Sequence, residues 1–322
     1  METLKPKISI IGCGNVGMRY AYAAMIQGLA RQIVIVDLDR KRLEGEVMDL
    51  SHGAPYISPV DVRAGEYADI KDSDLVVITA GKKQLPGQTR IDLVRDNVAI
   101  YRAMIPEIVK HAPGAILLVV TNPVDVLAYA AYKISGKPAG QVMSSGTVLD
   151  SARFRFLLSK HCKVDPRNIH AYILGEHGDT EFAVWSKAMI GGVLLKEYCT
   201  VCANRASCDR QFAFGQIYNE VRTSAYQIIE RKGETSYGIG LALVRITRAI
   251  LNDENAILPV SNLVNGYLGV SDVYLSLPAI VNKSGVRQVL NLDLDETEQA
   301  AFKNSAGALK KVIQEAGLQE SA

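Results

Sequence analysis

The sequence predicts an α/β protein, a doubly wound parallel sheet over residues 1–145 followed by a second, mixed α/β domain over residues 146–322. Three observations carry this. Continuous apolar runs recur at Ile8–Ile11, Ile33–Val36, Leu75–Thr79 and Ala115–Val120, which suits parallel strands buried on both faces. Helical segments separate them, Met18–Ala30 and the stretch from about 91 to 112. After residue 145 the composition changes to long helical segments (150–160, 209–231, 236–252 and 295–315) with short strand-like runs at 169–174 and 257–268.

The first strand leads into Gly12-Cys13-Gly14-Asn15-Val16-Gly17, and the second ends at Asp37. Strand, glycine turn, helix, strand and acid form the Rossmann dinucleotide-binding unit. Gly12 allows the tight turn, Gly14 lets the backbone approach a pyrophosphate, and Gly17 lets the helix pack close to the strand. The helix N-terminus offers unpaired N–H groups to the phosphates. Asp37 would accept hydrogen bonds from the adenosine ribose hydroxyls and repel a 2′-phosphate, so NAD is expected rather than NADP. The third and fourth strands end at Ala80-Gly81 and Thr121-Asn122-Pro123, at the carboxyl edge where such sheets bind ligands.

Bulk properties exclude several classes. Of 322 residues, 48% are hydrophobic and 22% charged, and the formal net charge is only +2 with no basic stripe, so no nucleic-acid partner is expected. The longest strongly apolar stretch, Ala115–Val120, is far below the ~20 residues of a membrane span. The first residues lack the apolar core of a signal peptide, so a cytoplasmic protein is expected. Cys199, Cys202 and Cys208 fall within ten residues. A structural zinc site usually takes four N/S ligands and no histidine is near in sequence, so these read as reduced thiols on a connecting segment and no metal is expected.

Three segments invite a chemical reading. Leu174-Gly-Glu-His177-Gly-Asp179 sets a histidine between glycines after a strand; alone it fits a surface loop as well as an acid/base. Asp150 and Arg153 open a helix three residues apart on one side, although an acid there can simply compensate the helix dipole. The loop Gly81–Arg90, with Gln84, Pro86 and Gly87, lies at the cofactor end of the sheet, where a lid would be.

Together, the glycine fingerprint with Asp37, Thr79-Ala-Gly81, the Gln84–Arg90 loop, Thr121-Asn-Pro-Val-Asp125, Gly146-Thr-Val-Leu-Asp-Ser-Ala-Arg153, Gly175-Glu-His-Gly-Asp-Thr180 and Lys232-Gly-Glu-Thr235 resemble the L-lactate/L-malate dehydrogenase family over nearly the whole chain. The resemblance implies hydride transfer between a nicotinamide and a small 2-hydroxy acid. It implies His177 as proton donor and acceptor, Asp150 as the group orienting it, and Arg153 as a bidentate clamp on the substrate carboxylate. Arg90 would polarise the carbonyl, Asn122 would bond near the nicotinamide, and Asp125 and Thr235 would complete the substrate pocket. Val16, Arg42, Tyr67, Gly81, Lys82, Thr121 and Ser145 would join the cofactor site.

Gln84 stands where malate-specific members have an arginine, which implies pyruvate and lactate; a second substrate carboxylate would be buried without a counter-charge. Lys82-Lys83 departs from the small residue usual after Gly81 in the lactate-specific members and reads as solvated charge. Arg155 and His170 resemble the site at which allosteric bacterial members bind fructose 1,6-bisphosphate between subunits of a tetramer. The alternatives are a dehydrogenase for malate or a branched 2-hydroxy acid, or a catalytically silent nucleotide-binding sensor.

Overall fold

The computed structural model describes residues 6–83, 87–202, 205 and 208–318. The chain begins β1 (Lys7–Ile11), α1 (Asn15–Ile26), β2 (Gln32–Val36), α2 (Arg40–His52), β3 (Asp61–Ala64), β4 (Leu75–Ile78), α3 (Arg90–His111), β5 (Ile116–Val119), α4 (Val124–Ser135) and β6 (Val142–Ser144). It continues with α5 (Val148–Cys162), β7 (Ile169–His170), β8 (Ile173–Leu174), β9 (Phe182–Ala183), β10 (Met189–Ile190), β11 (Val193–Leu194), α6 (Leu195–Val201), α7 (Arg210–Lys232) and α8 (Tyr237–Leu251). Strands β12 (Ala256–Leu258), β13 (Ser261–Tyr267), β14 (Val270–Ser276), β15 (Ala279–Asn282) and β16 (Gly285–Val289) precede the closing helix α9 (Glu296–Glu315).

Strands β3-β2-β1-β4-β5-β6 lie side by side in that order, all parallel. Their side chains alternate between two cores, as the pleat requires. Ile8, Ile10, Ile33, Ile35, Val77 and Leu118 point to one face, under α1 and α8. Val34, Val36, Val76, Ile78, Leu117 and Val119 point to the other, under α3, α4 and α9. The order reverses between β1 and β4, so a crevice opens where their carboxyl ends diverge.

The two halves of the chain share this sheet. The hairpin β13–β14 adds to it antiparallel, through the pairing of Ser261 with Ser144. Helix α8 packs on α1, where Tyr20 Oη and Thr247 Oγ1 make a buried 2.7 Å hydrogen bond. A third core, around Phe154, Leu158, Ile173, Ile217 and Val221, joins α5, α6 and α7.

The two strand-like runs of the second half are each divided. Residues 169–170 pair with β10 while 173–174 pair with β9, so the run serves two sheets. The run 257–268 is interrupted at Pro259, which cannot donate to a ladder; β12 ends before it and β13 starts after it.

Candidate active site

The crevice at the switch point is shaped by missing side chains. Gly12 follows β1 at φ +112°, and a Cβ there would lie 2.7 Å from the Ala80 nitrogen. A Cβ on Gly17 would lie 2.2 Å from the Gly12 oxygen, so only glycine lets α1 approach β1 this closely. Gly14 caps α1 without a side-chain hydrogen bond, and the space beside it is open. That leaves the first N–H groups of α1 directed at an accessible cradle for an anion.

Asp37, at the end of β2, is half-buried. Its Oδ2 accepts from the Cys13 N–H at 2.6 Å and its Oδ1 from the Asp39 N–H at 2.9 Å. Burial opposes ionisation, but these N–H groups outweigh it and hold the carboxyl below its usual range. A charged, partly accessible carboxylate 20 residues past Gly17 and an open helix N-terminus fit the ribose and pyrophosphate of NAD.

Around this cradle, Val16 is half-buried on α1 and Arg42 is exposed on α2, paired with Glu46. Tyr67 is half-buried and close enough to Asp37 for that charge to raise its phenol pKa, after burial and Glu107. Gly81 is required by its neighbour, since a Cβ would sit 2.2 Å from Thr121 Cγ2. Thr121 Oγ1 donates to the Ala80 carbonyl at 2.7 Å. The Lys82 ammonium is exposed and pairs with Asp96 at 3.1 Å. Ser145 is buried at the end of β6 and donates its N–H to Val119.

Asn97 on α3, which the sequence did not single out, ties two of these loops together. Its Oδ1 accepts from the Lys82 N–H at 2.8 Å and its Nδ2 donates to the Asn122 carbonyl at 3.2 Å. The Asn122 residue itself is exposed. A fully buried asparagine on an otherwise apolar helix face is the signal that could have found it.

The histidine loop is held from three sides. Gly175, at φ +91°, bridges to Ser276 of β14, and the Glu176 N–H donates to Ser305 Oγ of α9 at 2.7 Å. The His177 N–H donates to Asp125 Oδ2 of α4 at 2.8 Å. Asp125 therefore sits beneath the histidine backbone, and burial pushes its carboxyl up to about 6.

His177 Nδ1 lies 2.6 Å from Asp150 Oδ2, and Arg153 Nη1 donates to Asp150 Oδ1 at 2.7 Å. The Asp150 side chain is 3% exposed, Arg153 14% and His177 27%. Thus one buried carboxylate organises both cations, and exposure increases outward toward the imidazole. Burial disfavours the charged imidazole, but the charge and hydrogen bond of Asp150 outweigh it and raise His177 to about 9. In turn burial raises Asp150, while His177 and Arg153 together bring it below its ordinary value.

Glu181, also missed by the sequence reading, completes the cluster. Its carboxyl lies within 4.8 Å of the Asp150 and His177 ligand atoms. Burial and the Asp150 charge push its pKa up, against His177, Arg153 and Arg222. The spacing would admit a metal ion. However, Nδ1 is committed to Asp150 and the ring is an imidazolium at neutral pH, which suits proton transfer rather than ligation.

Thr235 is half-buried between α7 and α8. Gln84 and the Arg90 side chain lie outside the described residues; the Arg90 backbone opens α3. Arg155 points away from Arg153, with Nε on the Ser151 carbonyl at 3.4 Å. Burial lowers its pKa, and the Arg245 charge on α8 acts in the same direction. His170 is exposed on β7, and no hydrogen bond or ion pair among the described residues joins it to Arg155.

Residues 6–144 match the family model described as lactate/malate dehydrogenase, NAD binding domain, and residues 147–319 match that of the alpha/beta C-terminal domain. The chain is 51% identical over 309 residues to an L-lactate dehydrogenase of Thermoanaerobacter sp. (strain X514), covering 96% of this chain and 98% of that one. It is 50% identical over 305 residues to the L-lactate dehydrogenase of Priestia megaterium, covering 95% of each. A crystal structure of a lactate dehydrogenase from a Medee basin deep-sea metagenome library superposes with TM-score 0.93 at 45% identity, over 97% of this chain and 99% of that one. The minor L-lactate dehydrogenase from Enterococcus mundtii superposes with TM-score 0.92 at 41% identity, over 97% and 98%.

Proposed function

The chain belongs to the lactate/malate dehydrogenase family, and from that premise we propose that it is an L-lactate dehydrogenase, interconverting pyruvate and L-lactate. The observation that carries the reading is the Asp150 carboxylate, bonded at once to His177 and Arg153.

Bound NADH supplies the hydride. With Nδ1 fixed on Asp150, His177 presents Nε2 to the substrate, and its proton passes to the carbonyl oxygen as the carbon is reduced. In the reverse direction neutral His177 takes the hydroxyl proton. Asp150 keeps the imidazolium stable, and buried Arg153 offers a guanidinium fork to the substrate carboxylate. Arg90 polarises the carbonyl, Asn122 and Thr235 bound the pocket, and Asp125 fixes the backbone that carries the imidazole. Gly12, Gly14, Gly17 and Asp37 seat the cofactor, joined by Val16, Arg42, Tyr67, Gly81, Lys82, Thr121 and Ser145.

Gln84 sets the preference for a methyl-bearing substrate, since it offers no charge to a second carboxylate. A panel of pyruvate, oxaloacetate and branched 2-oxo acids, read by NADH oxidation, tests the assignment. Pyruvate should be reduced fastest. Equal or faster reduction of oxaloacetate, or no gain in oxaloacetate activity on Gln84→Arg, would overturn it.

The finer reading is a cytoplasmic, fermentative homotetramer regulated by fructose 1,6-bisphosphate. Five unpaired thiols suit a reducing compartment. The regulatory reading rests on Arg155 and His170, a guanidinium on α5 and an imidazole on β7 that would share a phosphate dianion across a symmetry axis. It fails if millimolar fructose 1,6-bisphosphate alters neither pyruvate saturation nor sedimentation.

A further inference from the structure

The histidine loop has little stiffness of its own, since Gly175 and Gly178 flank the pair Glu176-His177. Its direction is set from outside. Ser305 lies on the buried stripe of α9, between Phe302 and Leu309, and is itself fully buried. A hydroxyl there costs stability unless it is bonded. Its bonds go to the loop, 129 residues from Glu176 in sequence: the Glu176 N–H donates to Ser305 Oγ at 2.7 Å, and Ser305 Oγ lies 3.0 Å from Thr180 Oγ1. Thr180 Oγ1 in turn donates to Glu176 Oε2 at 2.5 Å. Thr180 has a single hydroxyl hydrogen, so Ser305 is the donor of the middle bond. The three bonds therefore run in one direction and close on themselves, from the Glu176 N–H through Ser305 and Thr180 to the Glu176 carboxylate. Gly175 admits the hydroxyl this close, because a Cβ there would lie 2.7 Å from Ser305 Oγ.

We infer that Ser305 is a positioning residue for proton transfer: the circuit it shares with Thr180 and Glu176 fixes the backbone from which His177 projects, and so holds His177 Nδ1 against Asp150. The inference rests on the reading of His177 as proton donor in pyruvate reduction. Two neighbouring N–H groups are anchored to different helices, that of Glu176 to Ser305 of α9 and that of His177 to Asp125 of α4. With both held, the two peptide planes leading into His177 cannot rotate, and the ring meets Asp150 Oδ2 at 2.6 Å. Each bond of the circuit polarises the next, so opening it at one point weakens the rest.

The charged groups around the imidazole are Asp150 and Arg153 of α5, Asp125 of α4 and Glu181 of the loop itself. Ser305 and Thr180 carry no charge. A changed His177 titration in their variants therefore reports a changed distance to those groups, not the removal of one.

The test uses the full chain carrying Ser305→Ala, Thr180→Val, the double variant or Glu298→Gln. Glu298 is the comparator: it ties the same helix to the chain beyond β9, through the Ser186 N–H at 2.9 Å and the Ser186 hydroxyl at 2.6 Å. Two quantities are measured, kcat for pyruvate and the titration of the His177 ring by NMR in histidine-labelled protein, its signal identified by its loss in His177→Asn. In Ser305→Ala, kcat should fall about 10- to 100-fold, the order expected when a catalytic group is displaced by up to about 1 Å. The titration midpoint should drop below the wild-type value of about 9, as the ring moves off Asp150. Thr180→Val should do the same, and the double variant should lose no more than the larger single, since each opens one circuit. Glu298→Gln should lower the thermal midpoint and leave the His177 titration in place. The proposal is overturned if Ser305→Ala leaves that titration unmoved, if Glu298→Gln moves it as far, or if the losses add in the double variant. Failure of the wild type to reduce pyruvate would fall on the functional assignment instead, and the ring titration would still decide the role of Ser305.

Discussion

The two ends of α5 carry clusters of opposite character. At the N-terminal end, Asp150 is fully engaged by His177 and Arg153, and the charges are already formed: the carboxyl is held low and the imidazole is raised to about 9. At the C-terminal end burial is the leading influence, and it pushes the Cys162 thiol up to about 12. The first cluster supplies its own counter-charges and needs only substrate. The second has no carboxylate: Cys162, Cys199, Cys202 and Cys208 share their cavity with His161, Thr200, Arg205 and Arg210. A buried group keeps its charge where a counter-charge lies within hydrogen-bond reach, as at Asp150, and is pushed toward its neutral form where burial leads, as at Cys162.

The sharpest break of this comparison is His177→Asn, which removes the proton donor and leaves the cysteine end untouched. Pyruvate reduction should fall on the order of 10⁴-fold in kcat, the upper end for losing a general acid. NADH binding, read by fluorescence titration, should be nearly unchanged. Comparable activity in the variant would end the assignment of His177.

Asp150→Asn separates orientation from chemistry. A loss on the order of 10³-fold in kcat is expected when the group that fixes a catalytic histidine becomes neutral. The pH dependence gives the sign. The wild-type imidazole stays protonated up to about 9, so kcat/KM for pyruvate should hold through neutral pH and decline as pH rises through 9. Without the Asp150 charge, burial dominates and the decline should move to lower pH. The linked stability follows the same order: His177 contributes fully below its ordinary value of 6.5, and that contribution is lost as pH rises through 9. An unshifted limb in Asp150→Asn would remove the carboxylate from this role.

What was legible in the sequence divides along the same line. The strand–glycine–helix–acid unit could be read because each step is local: a run, a turn and an acid within 30 residues. His177, Asp150 and Arg153 stood out as residue types, but their convergence was not local, since α5 and the β8–β9 loop meet only in the fold. Glu181 was missed because its meaning lies in burial, which a loop does not display in sequence; Asn97 does interrupt the apolar face of Val94, Val98 and Tyr101, but the two loops it ties meet only in the fold. The addition of β13 and β14 to the sheet was illegible for another reason. An antiparallel edge pair is joined by tertiary contact, and nothing at Ser261 names Ser144 as its partner.

Arg153→Lys tests the substrate side of the cluster. A lysine keeps the charge toward Asp150 but loses the planar fork, so KM for pyruvate should rise about 10- to 100-fold, equivalent to ~1.4–2.8 kcal/mol. The kcat should change much less, and the KM effect should diminish for a 2-oxo amide lacking the carboxylate. A kcat defect with unchanged KM would make Arg153 a partner of Asp150 alone.

The smallest effect is expected at Glu181, and its sign is informative. Its carboxyl pKa is raised, burial being the leading cause, so the fold favours the protonated form. An acid of that kind stabilises the protein below its ordinary pKa and loses that contribution as pH rises through the folded value, because the buried group must then ionise. Glu181→Gln keeps the shape of the neutral acid and cannot ionise. Its thermal midpoint should match the wild type near pH 5 and exceed it increasingly toward pH 9. The Glu181 charge also helps raise His177, though less than Asp150 does, so the alkaline limb of pyruvate reduction should move down only slightly in the variant. A stability gap that is flat with pH would show that Glu181 is charged throughout, paired with the imidazolium, and the cluster would then hold two carboxylates against His177 and Arg153.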